Sequence, residues 1–466
     1  MTDRRKSLLA CRRVHFIGIG GIGMSGLGEL MLDYGYEVSG SDLRRTPLTE
    51  RLRVLGASVF CGHKPDNASG ADLIVYSSAI PADNPELAAA RRRGQLAVTR
   101  ADLLGTLMRG TQGIAVAGTH GKTSTSAMIV RVLSAAGLDP TAAIGGIMTE
   151  NGSNVRRGSG AWMVVEADEY DRSFHALAPK IAVITSIDAD HLEYYGSQEA
   201  IDEAFVAFAH LVPVDGPVFV CADDPGISRV SAALRRRLVT YGLSRHACIR
   251  ADRVVSEGWR VTAEVYVRDV PAGRLVLPQP GECNLLNALA AIGVADYLEI
   301  PVERAVAALA AYRGLKRRFE VLDRIQGIAV VDDYAHHPVE IEAALLALSN
   351  TGARRMFVVF QPHLYSRTQH MRREFGRVLG LFPAYRTVVT DVYPSRETPR
   401  EGVTGEMIVQ ASREFGGDVA YVSDKDRVAA ALVDDLEEGD MVLTLGAGDI
   451  DEVGRQICEL LRKRGA

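Results

Sequence analysis

The stretch Ile114-Ala115-Val116-Ala117-Gly118-Thr119-His120-Gly121-Lys122-Thr123-Ser124 joins an apolar, strand-like run to a glycine-containing loop. A helical pattern follows over residues 125–136. In such a loop the backbone N–H groups and Lys122 neutralise phosphate groups, and the Thr123 hydroxyl can bind magnesium. Val116 stands where the strict motif has its first glycine, so this is a relaxed form of the phosphate loop. We therefore predict an ATP-binding loop over Gly118–Ser124.

The passage from a strand-like run into glycine or a polar loop occurs three times, at Val14–Gly18, Ile114–Gly118 and Ile328–Asp332. Helical patterns alternate with β-branched runs after each, which is typical of parallel α/β sheets. We predict three α/β domains: an N-terminal Rossmann-like domain over 1–107, a central P-loop ATPase-type domain over 108–315 and a C-terminal Rossmann-like domain over 316–466. Residues 251–277 predict a small antiparallel β-appendage on the central domain, and residues 451–466 a terminal amphipathic helix.

Composition places the chain among ordinary globular proteins. The 466 residues are 47% apolar with a formal charge of −5, which gives no reason to expect a nucleic-acid partner. The six cysteines are scattered without a C-x-x-C pair, and no apolar run is long enough for membrane insertion. The first residues do not form a signal-peptide pattern. We expect a cytoplasmic protein.

A second glycine loop lies near the N-terminus, at Gly18-Ile19-Gly20-Gly21-Ile22-Gly23, directly after a strand-like run. Its glycines allow backbone N–H groups to approach a diphosphate at a helix N-terminus. Asp42, at the end of the next predicted strand, stands where a dinucleotide fold places its ribose-binding acid. The pattern fits NAD or FAD, and a UDP-sugar equally well. A tight turn without a ligand is the remaining interpretation.

Acidic residues follow the predicted strand at 162–165 in the central domain. Glu166 ends it, and Asp168, Glu169 and Asp171 come just after. Carboxylates at the C-terminal end of a parallel strand can complete a magnesium site, although a solvated acidic loop is an equal alternative for the last three. His191 closes a later strand-to-loop stretch and, taken alone, is an ordinary loop histidine.

Taken together, the two phosphate loops and the later motifs resemble the Mur ligase family of peptidoglycan synthesis, over essentially the whole chain. The motifs that carry the resemblance are His15–Gly26, Gly118–Thr123, Glu166–Glu169, Asp188–His191, Lys316–Glu320, Asp332–Pro338, Phe360–His363 and Leu445–Ile450. The resemblance implies a UDP-sugar-binding domain, an ATP-binding domain and an amino-acid-binding domain that closes over the site.

The resemblance also assigns residues. It implies UDP-sugar binding by Gly18, Gly20, Gly21, Gly23 and Asp42, with no nicotinamide. ATP would be bound by Gly118, Thr119, His120, Gly121, Lys122, Thr123, Ser124, Asn284, Asn287, Arg318 and Asp333. Among these, Asn284 and Asn287 would contact the adenine, Arg318 a phosphate and Asp333 the ribose. Magnesium would be held by Thr123, Glu166 and His191, with Lys122, Glu166 and His191 as the catalytic residues. His336 and Arg367 would bind the amino acid.

The activity that the resemblance implies is ATP-dependent joining of L-alanine to the lactyl carboxylate of UDP-N-acetylmuramate through an acyl phosphate. ADP and phosphate are the other products, and a monomer or weak homodimer is expected. The chain has no lysine between Lys180 and Lys316, where family members that add later residues carry a carbamylated lysine, and this favours the alanine-adding branch. Two positions depart from the family pattern: Cys283 replaces a histidine and Leu364 an arginine, so the amino-acid carboxylate would fall to Arg367 and His336.

Other functions stay open at this point. A recycling ligase that adds an intact tripeptide to UDP-N-acetylmuramate would share the ATP loop, although the stretch Gly20–Gly26 favours the alanine ligase. An NAD-dependent oxidoreductase built on Gly18–Asp42 would leave the second phosphate loop unexplained. A P-loop protein that binds ATP without catalysis would never release ADP.

Overall fold

The computed structural model describes residues 11–395 and 397–465, which form an α/β protein with three sheets. The chain divides into two compact units. Unit 1 runs to Asp252 and adds residues 264–275 and 286–312, while unit 2 contains residues 253–263, 276–285 and the chain from Arg313 onward. The predicted α/β fold class is confirmed by the parallel sheets.

The first sheet of unit 1 has five strands in the order β3-β2-β1-β4-β5, and all of its neighbours are parallel. Its strands are β1 (Arg13–Ile17), β2 (Glu37–Asp42), β3 (Ser58–Cys61), β4 (Leu73–Tyr76) and β5 (Leu96–Thr99). Its helices are α1 (Ile22–Asp33), α2 (Pro47–Val54), α3 (Pro85–Arg92) and α4 (Arg100–Met108). The strand order reverses between β1 and β4, and ligands of such sheets bind at this point, beyond the carboxyl ends of the strands.

The second sheet has ten strands in the order β15-β14-β13-β12-β11-β10-β6-β9-β7-β8. The strands are β6 (Gln112–Ala117), β7 (Thr141–Met148), β8 (Ser153–Arg156), β9 (Trp162–Glu166), β10 (Ile181–Ile184), β11 (Pro217–Cys221), β12 (Arg237–Gly242), β13 (Ile249–Glu257), β14 (Arg260–Val267) and β15 (Val270–Leu277). The helices of this part are α5 (Lys122–Ala135), α6 (Leu192–Tyr195), α7 (Gln198–Ala209), α8 (Pro225–Val230), α9 (Glu282–Tyr297) and α10 (Val302–Ala310). Central strand β6 is buried over five of its six residues, as expected for a parallel strand covered on both faces.

The third sheet lies in unit 2 and has six strands in the order β16-β17-β21-β18-β19-β20. The strands are β16 (Glu320–Ile325), β17 (Ile328–Asp333), β18 (Met356–Phe360), β19 (Arg386–Val389), β20 (Val419–Tyr421) and β21 (Met441–Leu445). Its helices are α11 (Pro338–Ser349), α12 (Tyr365–His370), α13 (Arg372–Leu381), α14 (Glu406–Arg413), α15 (Val428–Val433) and α16 (Asp451–Arg464). Only the β16–β17 pair is antiparallel among the pairs of this sheet.

Several predicted elements agree with the structure and two differ in detail. The meander at 251–277 and the terminal helix at 451–466 are present as β13–β15 and α16. Helix α5 begins at Lys122, three residues before the predicted start, because its first turn carries polar loop residues instead of the apolar pattern. The outer part of the meander, residues 253–263, belongs to unit 2, where Trp259 packs on Phe319 at a ring distance of 5.9 Å.

No helix in the described part of the chain is long and apolar enough to cross a membrane.

Candidate functional site

The ATP-binding loop predicted from the sequence connects β6 to α5. Gly118 has a φ of 138°, and a Cβ there would lie 1.9 Å from the Thr185 hydroxyl. Gly121 has a φ of 80° and sits directly before the first residue of α5. Both positions therefore require glycine, and the backbone between them turns towards the N-terminus of the helix, where N–H groups favour anions.

This loop is fixed to the segment that follows β10. The amide of Thr119 donates to the carbonyl of Ser186 at 3.0 Å, and the amide of His120 donates to its hydroxyl at 3.0 Å. The Thr119 hydroxyl in turn accepts the amide of Asp188 at 2.9 Å. These bonds hold the phosphate loop in shape before any ligand arrives, so little ordering would be needed on binding.

Lys122 lies inside the loop. Its ammonium donates to Glu169 Oε1 at 2.8 Å and to the carbonyls of Gly118 and Thr119 at 2.6 and 3.2 Å. Burial alone would lower the pKa of Lys122, but the charges of Glu169 and Glu166 outweigh it and raise the pKa. Lys122 is therefore a fixed positive charge at the place where phosphates are expected.

The predicted metal-binding acid Glu166 ends β9, the strand beside β6. Its Oε2 accepts the backbone amide of Gly145 at 2.6 Å, which orients the carboxylate. Buried Glu169 uses Oε1 for Lys122, while within residues 11–395 and 397–465 its Oε2 has no hydrogen-bond partner. An unsatisfied buried carboxylate oxygen in a group of acids fits a site that receives a divalent cation.

The other predicted metal ligands, Thr123 and His191, are placed by neighbouring elements. Thr123 is buried in the first turn of α5. His191 adopts a left-handed backbone with a φ of 56° before α6, and its ring meets Tyr170 edge-on at 5.1 Å. Tyr170 directly follows Glu169 in the chain, so this ring contact places the histidine near the acids. A hydroxyl, a carboxylate and an imidazole on three adjoining segments fit a magnesium site, with the carboxylate as its hard ligand.

Of the two asparagines predicted to bind ATP, Asn287 lies in unit 1. Its Oδ1 accepts the Thr125 hydroxyl at 2.9 Å and lies 2.6 Å from where a Cβ on Gly121 would be. The buried amide of Asn287 is therefore directly behind the phosphate loop.

The first glycine loop follows β1 and leads into α1. The amides of Gly18 and Ile19 donate to the carbonyl of Ser41 at 2.8 and 3.0 Å. Asp42 accepts the amide of Gly20 on Oδ2 at 2.8 Å and that of Arg44 on Oδ1 at 3.3 Å. The acid predicted to bind ribose thus also holds the glycine loop in position.

The first glycine loop and the acidic end of β9 line one cavity of about 300 Å³ within unit 1. Gly18, Gly21 and Gly23 lie on one side, and Glu166 and Asp168 on the other. Three further polar residues of its wall, Ser77, Arg100 and Asn154, were not predicted from the sequence. Arg100 directly follows β5, so the rule that ligands meet strand ends could have found it, whereas Asn154 has no such signal.

In unit 2 the predicted ribose-binding acid Asp333 ends β17. Its carboxylate accepts the amides of Phe319 and Ala335, each at 2.7 Å. Burial raises the pKa of Asp333 to about 6, against the opposing charge of Arg318. Arg318 lies over the ring of Tyr334 at 5.3 Å. The structure therefore brings Arg318 and Asp333 to the same end of the sheet.

Asn284 and Cys283 occupy the first turn of α9 in unit 2. The amide of Asn284 donates to the carbonyl of Pro280 at 2.8 Å, and Cys283 is exposed.

Arg317, for which the sequence suggested no role, ties three segments of unit 2 together. Its Nε donates to buried Asp332 at 2.9 Å, and its two terminal nitrogens donate to the carbonyls of Gly446 and Gly448 at 2.7 Å. A guanidinium suits this task because its five N–H donors form a rigid planar fork. Arg317 thereby fixes the loop after β21 beside Arg318.

The residues predicted to bind the amino acid lie after β17 and β18. The ring of His336 packs edge-on against His363 at 5.5 Å, and His363 stacks on Tyr393 at 5.9 Å. Arg367 lies on α12, which begins after Leu364. Leu364 itself is buried with a φ of 70°, so the residue that replaces an arginine packs into the protein instead of lining the surface.

Comparison with known proteins covers the chain from end to end. Family models match residues 13–112 (Mur ligase family, catalytic domain), 116–295 (Mur ligase middle domain) and 317–448 (Mur ligase, glutamate ligase domain). The chain is 44% identical to the UDP-N-acetylmuramate--L-alanine ligase of Geotalea daltonii, over 97% of the chain and 98% of that protein. It is 46% identical to the ligase of the same name from Salinibacter ruber, over 97% and 96%.

A solved structure supports the same placement. The UDP-N-acetylmuramate-alanine ligase of Thermotoga maritima superposes with a TM-score of 0.83 at 32% identity, covering 97% of this chain and 99% of that one. With all three family models in order and relatives matched along their full length, the chain belongs to the Mur ligase family.

Proposed function

We propose that this protein joins L-alanine to UDP-N-acetylmuramate with consumption of ATP, as a step of peptidoglycan precursor synthesis. The observation that carries the proposal is that the first glycine loop and the acids Glu166 and Asp168 line the same cavity. It gives a nucleotide sugar a place beside the loop that would hold the phosphates of ATP. The full-length relatives named as alanine ligases support the same activity.

The chemistry follows from the weak electrophilicity of a carboxylate. An oxygen of the lactyl carboxylate attacks the γ-phosphorus of ATP, ADP leaves, and an acyl phosphate forms. The amine of L-alanine then attacks the acyl carbon, loses a proton and expels phosphate from the tetrahedral intermediate. Lys122 and the amides at the start of α5 stabilise the charge that develops on the transferred phosphoryl group.

Thr123, Glu166 and His191 are proposed to hold magnesium. When bound there, the ion would supply neutralisation of the phosphate oxygens. The chain contributes by fixing these ligands: the Gly145 amide orients Glu166, and Tyr170 packs against the ring of His191. His336 and Arg367 are proposed to bind the alanine. For ATP, Asn284 and Asn287 are proposed to contact the adenine, Arg318 a phosphate and Asp333 the ribose.

We also propose that the domain ranges 1–107, 108–315 and 316–466 mark the functional parts of the chain. The family models at 13–112, 116–295 and 317–448 support these divisions. In the first part, Gly18, Gly20, Gly21, Gly23 and Asp42 would bind the UDP-sugar in the cytoplasm, where ATP is available. A nicotinamide dinucleotide is not needed to explain this loop.

A phosphate-release assay tests the proposal. Purified protein is incubated with UDP-N-acetylmuramate, ATP and magnesium, and with L-alanine, glycine, L-serine or the cell-wall tripeptide in turn. We expect release of ADP and phosphate in equal amounts, and we expect this release to be fastest with L-alanine. Faster release with the tripeptide would identify a recycling ligase instead, and ATP binding without ADP release would rule out a ligase.

A further inference from the structure

Arg100 is held in a defined position at the start of α4. The preceding Thr99 caps this helix: its hydroxyl accepts the amide of Asp102 at 3.1 Å, and its own amide donates to the Asp102 carboxylate at 3.3 Å. From there the guanidinium of Arg100 reaches the first turn of α1, where one terminal nitrogen lies 3.0 Å from the position of a Cβ on Gly23. The side chain is 26% exposed and lines the cavity of unit 1.

Asp168 holds the other end of this guanidinium. One terminal nitrogen of Arg100 donates to Asp168 Oδ2 at 3.2 Å, while Asp168 Oδ1 accepts the amide of Tyr170 at 3.2 Å. Across the described residues this is the one hydrogen bond of the Arg100 side chain, out of five N–H donors. The pair is therefore oriented but leaves donors available to a ligand in the cavity.

The charged side chains that the structure describes in the cavity lining are acidic apart from Arg100, so an anionic ligand needs this cation. Two carboxylates, Glu166 and Asp168, face it, and Arg100 is the one cationic side chain of its lining among the described residues. UDP-N-acetylmuramate brings a diphosphate and a lactyl carboxylate. The diphosphate can use the amides of the first glycine loop, whereas the lactyl carboxylate must approach the acidic side of the cavity, where its charge would be repelled.

Asn154 does not compensate this charge. Its amide nitrogen already donates to the carbonyls of Ile22 and Ile144 at 3.0 and 3.2 Å. A planar guanidinium, in contrast, binds a carboxylate through two parallel N–H bonds. On the basis of the proposed function, we propose that Arg100 binds the lactyl carboxylate of UDP-N-acetylmuramate, with Asp168 holding the guanidinium in place for it.

Two nucleotide sugars separate this role from diphosphate binding. UDP-N-acetylglucosamine carries the diphosphate but lacks the lactyl carboxylate. Binding of each to the full-length protein is measured by calorimetry without ATP, for the wild type, Arg100→Ala and Arg100→Lys. The matched control is Arg109→Ala, at the C-terminal end of the same helix, where the exposed side chain bonds Thr106.

We expect Arg100→Ala to weaken binding of UDP-N-acetylmuramate by about tenfold to a hundredfold, because a charge-assisted hydrogen bond to the lactyl carboxylate is lost. Binding of UDP-N-acetylglucosamine should stay unchanged. Arg100→Lys should restore part of the difference, and Arg109→Ala should behave as the wild type. Unchanged binding of both sugars, or equal weakening of both, would overturn the assignment. Normal binding of UDP-N-acetylglucosamine by Arg100→Ala also shows that the variant is folded.

The outcome is distinct from a failure of the proposed function. If the wild-type protein releases phosphate with L-alanine but Arg100→Ala binds UDP-N-acetylmuramate normally, only the role of Arg100 is wrong. If the wild-type protein releases none, the proposed function itself is wrong.

Discussion

The ammonium of Lys122 lies 2.8 Å from Oε1 of Glu169, a carboxylate that is only 4% exposed. The lysine belongs to the phosphate loop and the glutamate follows β9, so the pair connects the two segments that carry the ATP-binding and metal-binding residues. A buried ion pair of this kind adds little net stability, because desolvation of the charges offsets their attraction. Its value here is to keep Lys122 charged and aimed into the loop.

Replacing Lys122 with alanine should therefore remove catalysis. We expect phosphate release to fall by at least about a hundredfold to a thousandfold, since one preorganised positive charge at the transferred phosphoryl group is lost. The circular dichroism spectrum should stay close to that of the wild type. Lys180→Ala, at an exposed lysine before β10, is the matched control and should stay active. An active Lys122→Ala enzyme would refute the role of this lysine.

Glu166 offers a second prediction, on metal dependence. Glu166→Gln keeps the size of the side chain but removes the charge that would hold magnesium. The magnesium concentration needed for half-maximal phosphate release should rise by about tenfold or more. Glu150→Gln is the control, because Glu150 lies exposed on the turn between β7 and β8 and pairs only loosely with Arg131 at 3.6 Å. An unchanged magnesium titration for Glu166→Gln would exclude this glutamate as a ligand.

Asp333 makes stability depend on pH in a defined direction. Its pKa is raised to about 6 by burial, above the ordinary value of 3.8, so the folded protein keeps a proton that the unfolded chain releases. The stabilisation is fully present below about pH 4 and is lost as the pH rises through about 6.

The free energy of unfolding of the wild type, compared with Asp333→Asn, should thus fall by about 1–3 kcal/mol between pH 4 and pH 7. Urea unfolding of both proteins across this range measures the difference, in which the titration of all other groups cancels. A difference that stays constant with pH, or that rises, would contradict the raised pKa.

The sequence predicts the fold and much of the site because both depend on local patterns. The apolar runs that form β1, β6 and β17 are each followed directly in the chain by glycine or polar residues of a loop. Ligand-binding residues placed in this way are found by the same rule that finds the strands. The strand-end positions of Asp42 and Glu166 are confirmed for this reason. Asp333 also ends a strand, but its role was predicted only from the family resemblance.

Contacts between distant segments are not encoded in such patterns. Arg100 meets Asp168 across 68 positions, and Arg317 meets Gly448 across 131. Arg317 looks like an ordinary surface residue in the sequence, since arginine is common on helix and loop surfaces. The end of β5 marks Arg100 as a candidate ligand-binding residue, but nothing in the sequence indicates that its partner is Asp168. The left-handed backbone of His191 is one that histidine adopts more often than most other residues, but no local pattern in the sequence indicates it at this position.

Two glycines of α1 give a matched test of how closely this helix must pack. A Cβ on Gly26 would lie 2.6 Å from the side chain of Asn154 and 2.8 Å from that of Val155, whereas a Cβ on Gly28 would have no neighbour closer than 3.6 Å. Both glycines are buried in the same helix. Alanine at either position improves helix propensity by up to about 1 kcal/mol, so only the packing differs.

Gly28→Ala should leave the melting temperature unchanged or raise it. Gly26→Ala should lower the free energy of unfolding by about 1–3 kcal/mol, because Asn154 or the helix must shift. Asn154 bonds the carbonyls of Ile22 and Ile144 at the cavity wall, so its displacement should also weaken UDP-N-acetylmuramate binding in Gly26→Ala, and not in Gly28→Ala. Thermal unfolding and calorimetry on both variants measure the two effects. Equal behaviour of the two variants would show that α1 has room to move, and that its close approach to β8 does not shape the cavity.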